Sequence, residues 1–363
     1  MAKSAKYLLI GSTEAYSGKS ATIIGIAHQL QAKGLDIAYG KPLGTCLSSE
    51  QPEAIEEDVR FMTEVLNLPQ KQVRSPLLSL DAATTRKRLQ GEDTKDYCHS
   101  LKEYLQQTSG DLILLEGPGN LSEGSLFNLS LLEMAQEINT TVLLVIRYHS
   151  VLLVESLLFA KQHFGNYLAG VLINDIPADQ LATVQSTIRP FLEKHNIPVL
   201  GMTPRSELLR SVSVRELVFQ LKAEVLCRSD RLDLMVESLT IGAMNVNSAL
   251  KYFRKRRNMA VVTGGDRTDI QMAALETSTQ CLILTGQLPP QSFIINRAEE
   301  LEIPVLSVDL DTLTTVEIIN RAFGQVRLHE PVKVECMRNL MAEHFDIDRL
   351  MNQLGLEPAI PAL

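Results

Sequence analysis

Residues 6–21 read KYLLIGSTEAYSGKSA: the apolar run Tyr7–Ile10 ends in small and polar residues, reaches Gly18, Lys19 and Ser20, and opens into a helical pattern. Residue types in that order make a phosphate-binding loop. Backbone N–H groups of Thr13, Glu14, Ser17, Gly18, Lys19 and Ser20 would wrap an anion at a helix start, where the dipole favours negative charge. The Lys19 ammonium would stand beside the outer phosphates, and the Ser20 hydroxyl would ligate Mg²⁺. The match is imperfect. Counting back five from Gly18 gives Thr13 where the usual pattern has its first glycine, and Gly11 lies two positions earlier. The plainer alternative is an ordinary strand–turn–helix, which has no use for a lysine at that helix start.

Four further segments carry chemistry. Gly40-Lys41-Pro42-Leu43-Gly44-Thr45 follows a β-rich run, and Lys41 there could reach phosphates or an anionic substrate, or be a lone surface lysine. Asp58, in the acidic start of EAIEEDVRFMTEVL, could complete a Mg²⁺ shell or merely match the helix dipole. Glu116 directly follows four apolar residues in LILLEGPGN, the place for a carboxylate beside a phosphate loop and its metal. Asn174 ends GVLIN, where its amide could meet a base edge or cap the turn before Pro177.

The elements that must position these residues follow from periodicity. Strands are expected at Tyr7–Ile10, Ile37–Tyr39, Asp111–Leu115, Val142–Ile146, Ala169–Ile173 and Val199–Leu200, with helices at Lys19–Lys33, Val151–Phe164 and Asp179–His195. Near-continuous apolar strands suit a parallel sheet covered on both faces, and the alternation predicts a doubly wound α/β fold with ligands at the strands' carboxyl ends. After Arg205 the pattern turns helical and mixed to about residue 258. A shorter β/α series then begins, with strands at Met259–Thr263, Cys281–Leu284 and Val305–Val308. The tail, His329 to Leu363, reads as one helix and a loose Pro-rich end. The expected domains are 1–205, 206–327 and the tail 328–363.

Taken in order, GSTEAYSGKS, GKPLGT, Asp58, LLEGPG, GVLIND and PVLGMTP resemble dethiobiotin synthetase and its relatives, including the cobyrinic acid diamide synthetases. They resemble still more closely the dethiobiotin-synthetase-like N-terminal domain of long bacterial phosphate acetyltransferases. The resemblance covers about residues 5 to 205. It implies a P-loop NTPase-type sheet, among the AAA-type proteins, binding ATP with Mg²⁺. Lys19, Ser20, Asp58 and Glu116 would surround the triphosphate and metal, Asn174 would lie near the adenine, and Lys41 would act with Lys19 in catalysis. The substrate half departs from the synthetase pattern: Leu77 stands where its Ser-Pro-His segment has histidine, and GPGN replaces Gly-Ala-Gly-Gly. ATP-dependent ligase chemistry is therefore the second reading, and a regulatory ATP-binding protein the first.

In the second series, VVTGGDRTDIQMAAL preceded by IGAMNVNSAL resembles the DRTGG domain over about residues 212 to 325. That implies a regulatory α/β module that often supports dimers, so a homo-oligomer is expected. By itself Gly264-Gly265-Asp266-Arg267-Thr268 is a capped turn whose exposed N–H groups could take a small phosphorylated ligand. The 36 or so residues after Arg327 are too few for an acetyl-transfer domain that binds coenzyme A, so acetyltransferase activity is not expected of this sequence.

Composition narrows the classes. At 363 residues the chain suits two domains of unequal size. A net charge of −8 argues against broad nucleic-acid binding, and the basic run Lys251–Arg257 reads as a solvated helix face. No apolar run approaches the roughly 20 residues of a membrane span. The start MAKSAKYLLIG is a first strand and no signal peptide. Five cysteines, far apart and without a C-x-x-C pair, fit a reduced cytoplasm and exclude a zinc ribbon.

Overall fold

The computed structural model describes residues 6–44, 57–106, 108–324, 328 and 330–358; Thr45, Cys46 and the terminal residues 359–363 lie outside that set. The chain forms two compact units, residues 1–205 with 328–363, and residues 206–327.

The first unit is built on a seven-stranded sheet in the order Val73–Arg74, Ile37–Gly40, Leu112–Glu116, Lys6–Ser12, Thr141–Arg147, Leu168–Ile176, Val199–Pro204. All pairings are parallel. The chain winds to one side of Lys6–Ser12 first, returns through Leu112–Glu116, and then winds to the other side. This reversal opens a crevice at the carboxyl end of the first strand. Leu8, Leu9, Ile10 and Leu143, Leu144, Val145 are fully buried because helices cover both faces. On one face Leu9, Ile113, Leu144 and Val171 pack with Leu157, Phe164 and Leu192 of the helices Leu153–Phe164 and Leu181–Lys194.

Lys19–Ala32 starts where the loop ends and buries Ile23, Ile24, Ile26, Ala27 and Leu30. Its neighbour is the chain's tail. A Cβ added at Gly25 would meet Met341 Cγ at 2.3 Å, so the two helices touch along that glycine. The tail holds two helices, Pro331–His344 and Ile347–Leu354, where the sequence suggested one. Phe345 breaks them by bridging to Gly201, and the Asp346 carboxylate caps the second by accepting from Arg349 N at 2.9 Å. Rather than standing apart, the described tail belongs to the first unit. Arg349 forms a two-pronged pair with Glu193 at 2.7 and 2.8 Å, and Gln29 Nε2 donates to Met341 O at 3.1 Å.

The second unit is built on a five-stranded sheet in the order Glu224–Cys227, Val305–Val308, Thr279–Thr285, Met259–Gly264, Ser238–Ile241. Within that sheet only Glu224–Cys227 runs antiparallel to its neighbour. Alternate residues serve two cores: Val261, Leu282 and Leu284 meet Phe253, Ile270 and Ile294 on one face. On the other, Ala260, Val262 and Ile283 meet Leu217, Val316 and Ile319. The two edge strands fall inside 206–258, which the sequence left as helical and mixed. EVLC and SLTI are four residues each, and neither buries a full face, so their alternation is weak.

The basic run is a solvated face: Lys251, Arg254, Lys255, Arg256 and Arg257 are exposed while Phe253 is buried. Cys98, Cys227 and Cys281 are free thiols. Among the described residues no helix is long and apolar enough to cross a membrane.

Candidate phosphate and metal site

The loop between Ser12 and Lys19 sits at the sheet's reversal point. Gly18 has φ +103°, a left-handed value that a side chain disfavours, and a Cβ there would meet Asn174 Nδ2 at 2.5 Å. Asn174, at the end of Leu168–Ile176, donates from that nitrogen to Ser17 O at 2.9 Å and accepts from Thr203 Oγ1 at 2.6 Å. Its amide thus holds the loop's shape. Gly18→Ala is accordingly expected to strain the loop by about 1–3 kcal/mol and to weaken anion binding; thermal unfolding and a nucleotide titration check both effects.

Lys19 is directed back along the loop, donating to Ser12 Oγ at 2.9 Å. Ser12 is fully buried, and its hydroxyl lies 2.8 and 3.0 Å from the carbonyl oxygens of Glu14 and Gly119. At the helix's second residue, Ser20 Oγ donates to Glu116 Oε1 at 2.8 Å. The other carboxylate oxygen, Oε2, accepts from Tyr39 OH at 2.7 Å. Lys41 is buried and forms an ion pair with Asp58, which opens the helix Glu57–Val65. Burial pulls the Lys19 ammonium below its ordinary pKa, while Glu116, Glu123 and Asp58 oppose that shift and Lys41 reinforces it. The structure therefore gathers Lys19, Ser20, Lys41, Asp58 and Glu116 within one electrostatic neighbourhood.

The residues fit an anion with a hard cation. Ser17 Oγ is buried with no hydrogen-bond partner among the described residues, so a polar group is owed to it. Ser20 and Glu116 are oxygen donors already in contact. Among the described residues no cluster of three or more His, Cys, Asp or Glu forms a metal site. Mg²⁺ needs none, since it binds through one or two carboxylates with phosphates and water.

Thr13 and Glu14 lie in the loop as expected, and Glu14 Oε1 is 2.9 Å from His149 Nε2. The loop is braced from outside by Arg147, which donates to Tyr16 O, and Asp175 pairs with Arg205 at 3.1 Å. Sequence reasoning passed over Ser12, Tyr39 and Glu123. Ser12 and Tyr39 were hidden in strand ends whose neighbours are apolar. Glu123 accepts from Gly119 N within the segment after Glu116, and its charge acts on Lys19. Nothing in its spacing marked it.

In the second unit the Gly264–Thr268 turn precedes the helix Thr268–Leu275. The buried Gln271 amide donates to Gly264 O at 2.9 Å and Gly265 O at 3.0 Å, and Arg267 pairs with Asp269 at 3.2 Å. A Cβ on Gly265 would meet Leu288 O at 2.2 Å, which explains the second glycine.

With the geometry in view, comparison with known proteins gives two family matches: an AAA domain over residues 6–213 and a DRTGG domain over residues 216–322. The phosphate acetyltransferase of Synechocystis sp. is 25% identical over 366 residues, covering 96% of this chain and 51% of that protein. That of Nitratidesulfovibrio vulgaris is 24% identical over 371 residues, again covering 96% and 51%. The chain spans about half the length of the curated relatives it matches, and it corresponds to their N-terminal part. Among solved structures, the CBS and DRTGG domains of Clostridium perfringens pyrophosphatase, complexed with the activator diadenosine tetraphosphate, share 22% identity. That likeness covers 47% of this chain and 86% of the other, with a TM-score of 0.29, too slight to argue from.

Proposed function

Because the chain belongs to the AAA-domain family across residues 6–213 and continues into a DRTGG domain, we propose that it is a regulatory protein whose first unit binds ATP with Mg²⁺. One observation carries the reading: Ser20 Oγ donates to Glu116 at the foot of a loop that also presents Lys19. A helix start, a lysine and an oxygen pair for a hard cation then converge on one place.

In this reading the N–H groups from Thr13 to Ser20 hold the phosphates, and Lys19 leaves Ser12 to meet their charge. Ser20, Glu116 and Asp58 would hold the cation, which supplies neutralising charge between phosphate oxygens. Lys41, freed from Asp58 by that arrangement, would face the terminal phosphate. Asn174 keeps Ser17 and Gly18 in place and would lie beside the adenine. In the second unit Gly264–Thr268 would receive a small phosphorylated ligand, with Arg267 turning from Asp269 to the anion. The protein would work as a cytoplasmic homo-oligomer.

Calorimetric titration of ATP, with Mg²⁺ and with a chelator, tests the reading. Wild type is expected to bind in both conditions and more tightly with Mg²⁺. Ser20→Ala should lose about tenfold or more of that metal-dependent gain. No heat in either condition would refute it.

The buried Lys41 also favours a second reading, a ligase that transfers the terminal phosphoryl group to a carboxylate or carbamate. Against it, Leu77 packs on the apolar core, where the synthetase pattern has histidine. ADP release stimulated by a diamine with bicarbonate, or by an acid with an amine donor, would favour this second reading.

A further inference from the structure

We propose that Tyr39 is a positioning residue for the divalent cation, its hydroxyl fixing the carboxylate of Glu116 in the orientation that meets Ser20. This rests on the nucleotide reading above and extends it to a residue with no place in the loop motif.

The strand Ile37–Gly40 pairs in parallel with Leu112–Glu116, and Tyr39 stands opposite Leu114. Leu114 and Glu116 share a face of their strand, so the tyrosine ring, reaching one step along, brings its hydroxyl to Glu116. Tyr39 is fully buried and Glu116 nearly so. The terminal torsion of a glutamate is broad and weakly held. Here each oxygen has its own donor, Ser20 at 2.8 Å and Tyr39 at 2.7 Å, so rotation of the carboxylate would break both bonds. Packing alone does not account for the hydroxyl, since phenylalanine would fill the same volume without a polar atom to satisfy. An outer group that orients a ligating carboxylate typically governs metal affinity by 10- to 100-fold.

The test is Tyr39→Phe, titrated with ATP in chelator and in Mg²⁺, beside Mn²⁺ binding read from the electron paramagnetic resonance of the free ion. The metal-dependent gain should fall about tenfold, while metal-free affinity moves less than about twofold. In a Glu116→Gln background the same change should add nothing, because Tyr39 acts through Glu116. An undiminished gain would overturn the proposal, as would an equal loss with and without metal, which marks a structural role. Wild type that binds no nucleotide would instead refute the underlying reading, and this one with it. Thermal unfolding shows whether the variant is folded, and Glu116→Gln alone repeats the metal measurement without touching the tyrosine.

Discussion

Lys19→Ala is expected to lower ATP affinity on the order of 100-fold, about 2–3 kcal/mol, the range for a hydrogen bond to a charged group. The lysine is free to make that bond, because its present partner is a neutral hydroxyl, Ser12 Oγ. Its protonation sharpens the test. Burial is the largest influence and pulls its pKa below 10.5, against the opposing pull of Glu116 and then Glu123. A folded-state pKa below the unfolded one means that the unfolded chain holds more protons between the two values. Stability therefore rises with pH across that alkaline window. A bound polyphosphate favours the charged form and pushes the pKa back up, so binding there takes up a proton. Titrations in two buffers of different ionisation enthalpy should then give different heats, and the difference should vanish in Lys19→Ala. Equal heats in wild type across that window would show that Lys19 does not meet the anion.

Much of this was legible from residue types. The strand Lys6–Ser12 and its loop announced themselves because a buried parallel strand must be apolar to its end and a phosphate loop must then turn polar. Glu116 was equally visible, as a charge abutting four buried residues. The Lys41–Asp58 pair was not, although each residue was singled out: their contact joins a strand end to a helix some seventeen residues on, and no spacing rule couples those. Asn174 was singled out as well, but its bonds to Ser17 and Thr203 join it to long-range partners that one sequence cannot reveal. The edge strands of the second unit were missed because an edge buries too little to impose alternation.

The tail was the largest surprise, and it gives the largest effect. Ending the chain after residue 327 is expected to abolish cooperative unfolding of the first unit, or to lower its Tm by more than about 10 °C. Val334, Met337, Met341, Phe345, Ile347, Leu350 and Met351 are all buried. Seven such side chains at about 1.5–3 kcal/mol each represent a gross contribution of roughly 10–20 kcal/mol, before the cost of ordering the helices. That rivals the whole stability of a typical domain, about 5–15 kcal/mol. Removal would also bare the helix Lys19–Ala32 along Gly25, and that helix carries Lys19 and Ser20 at its start. Nucleotide binding should therefore fall together with stability. Arg349→Ala provides the calibration. Its pair with Glu193 is about one-third exposed on each side, so its loss should cost only about 1 kcal/mol. A truncated chain that melts and binds like the full one would mean that the tail merely rests on a domain complete without it. The buried methionines and Phe345 argue that the helices Pro331–His344 and Ile347–Leu354 are part of the first unit's core.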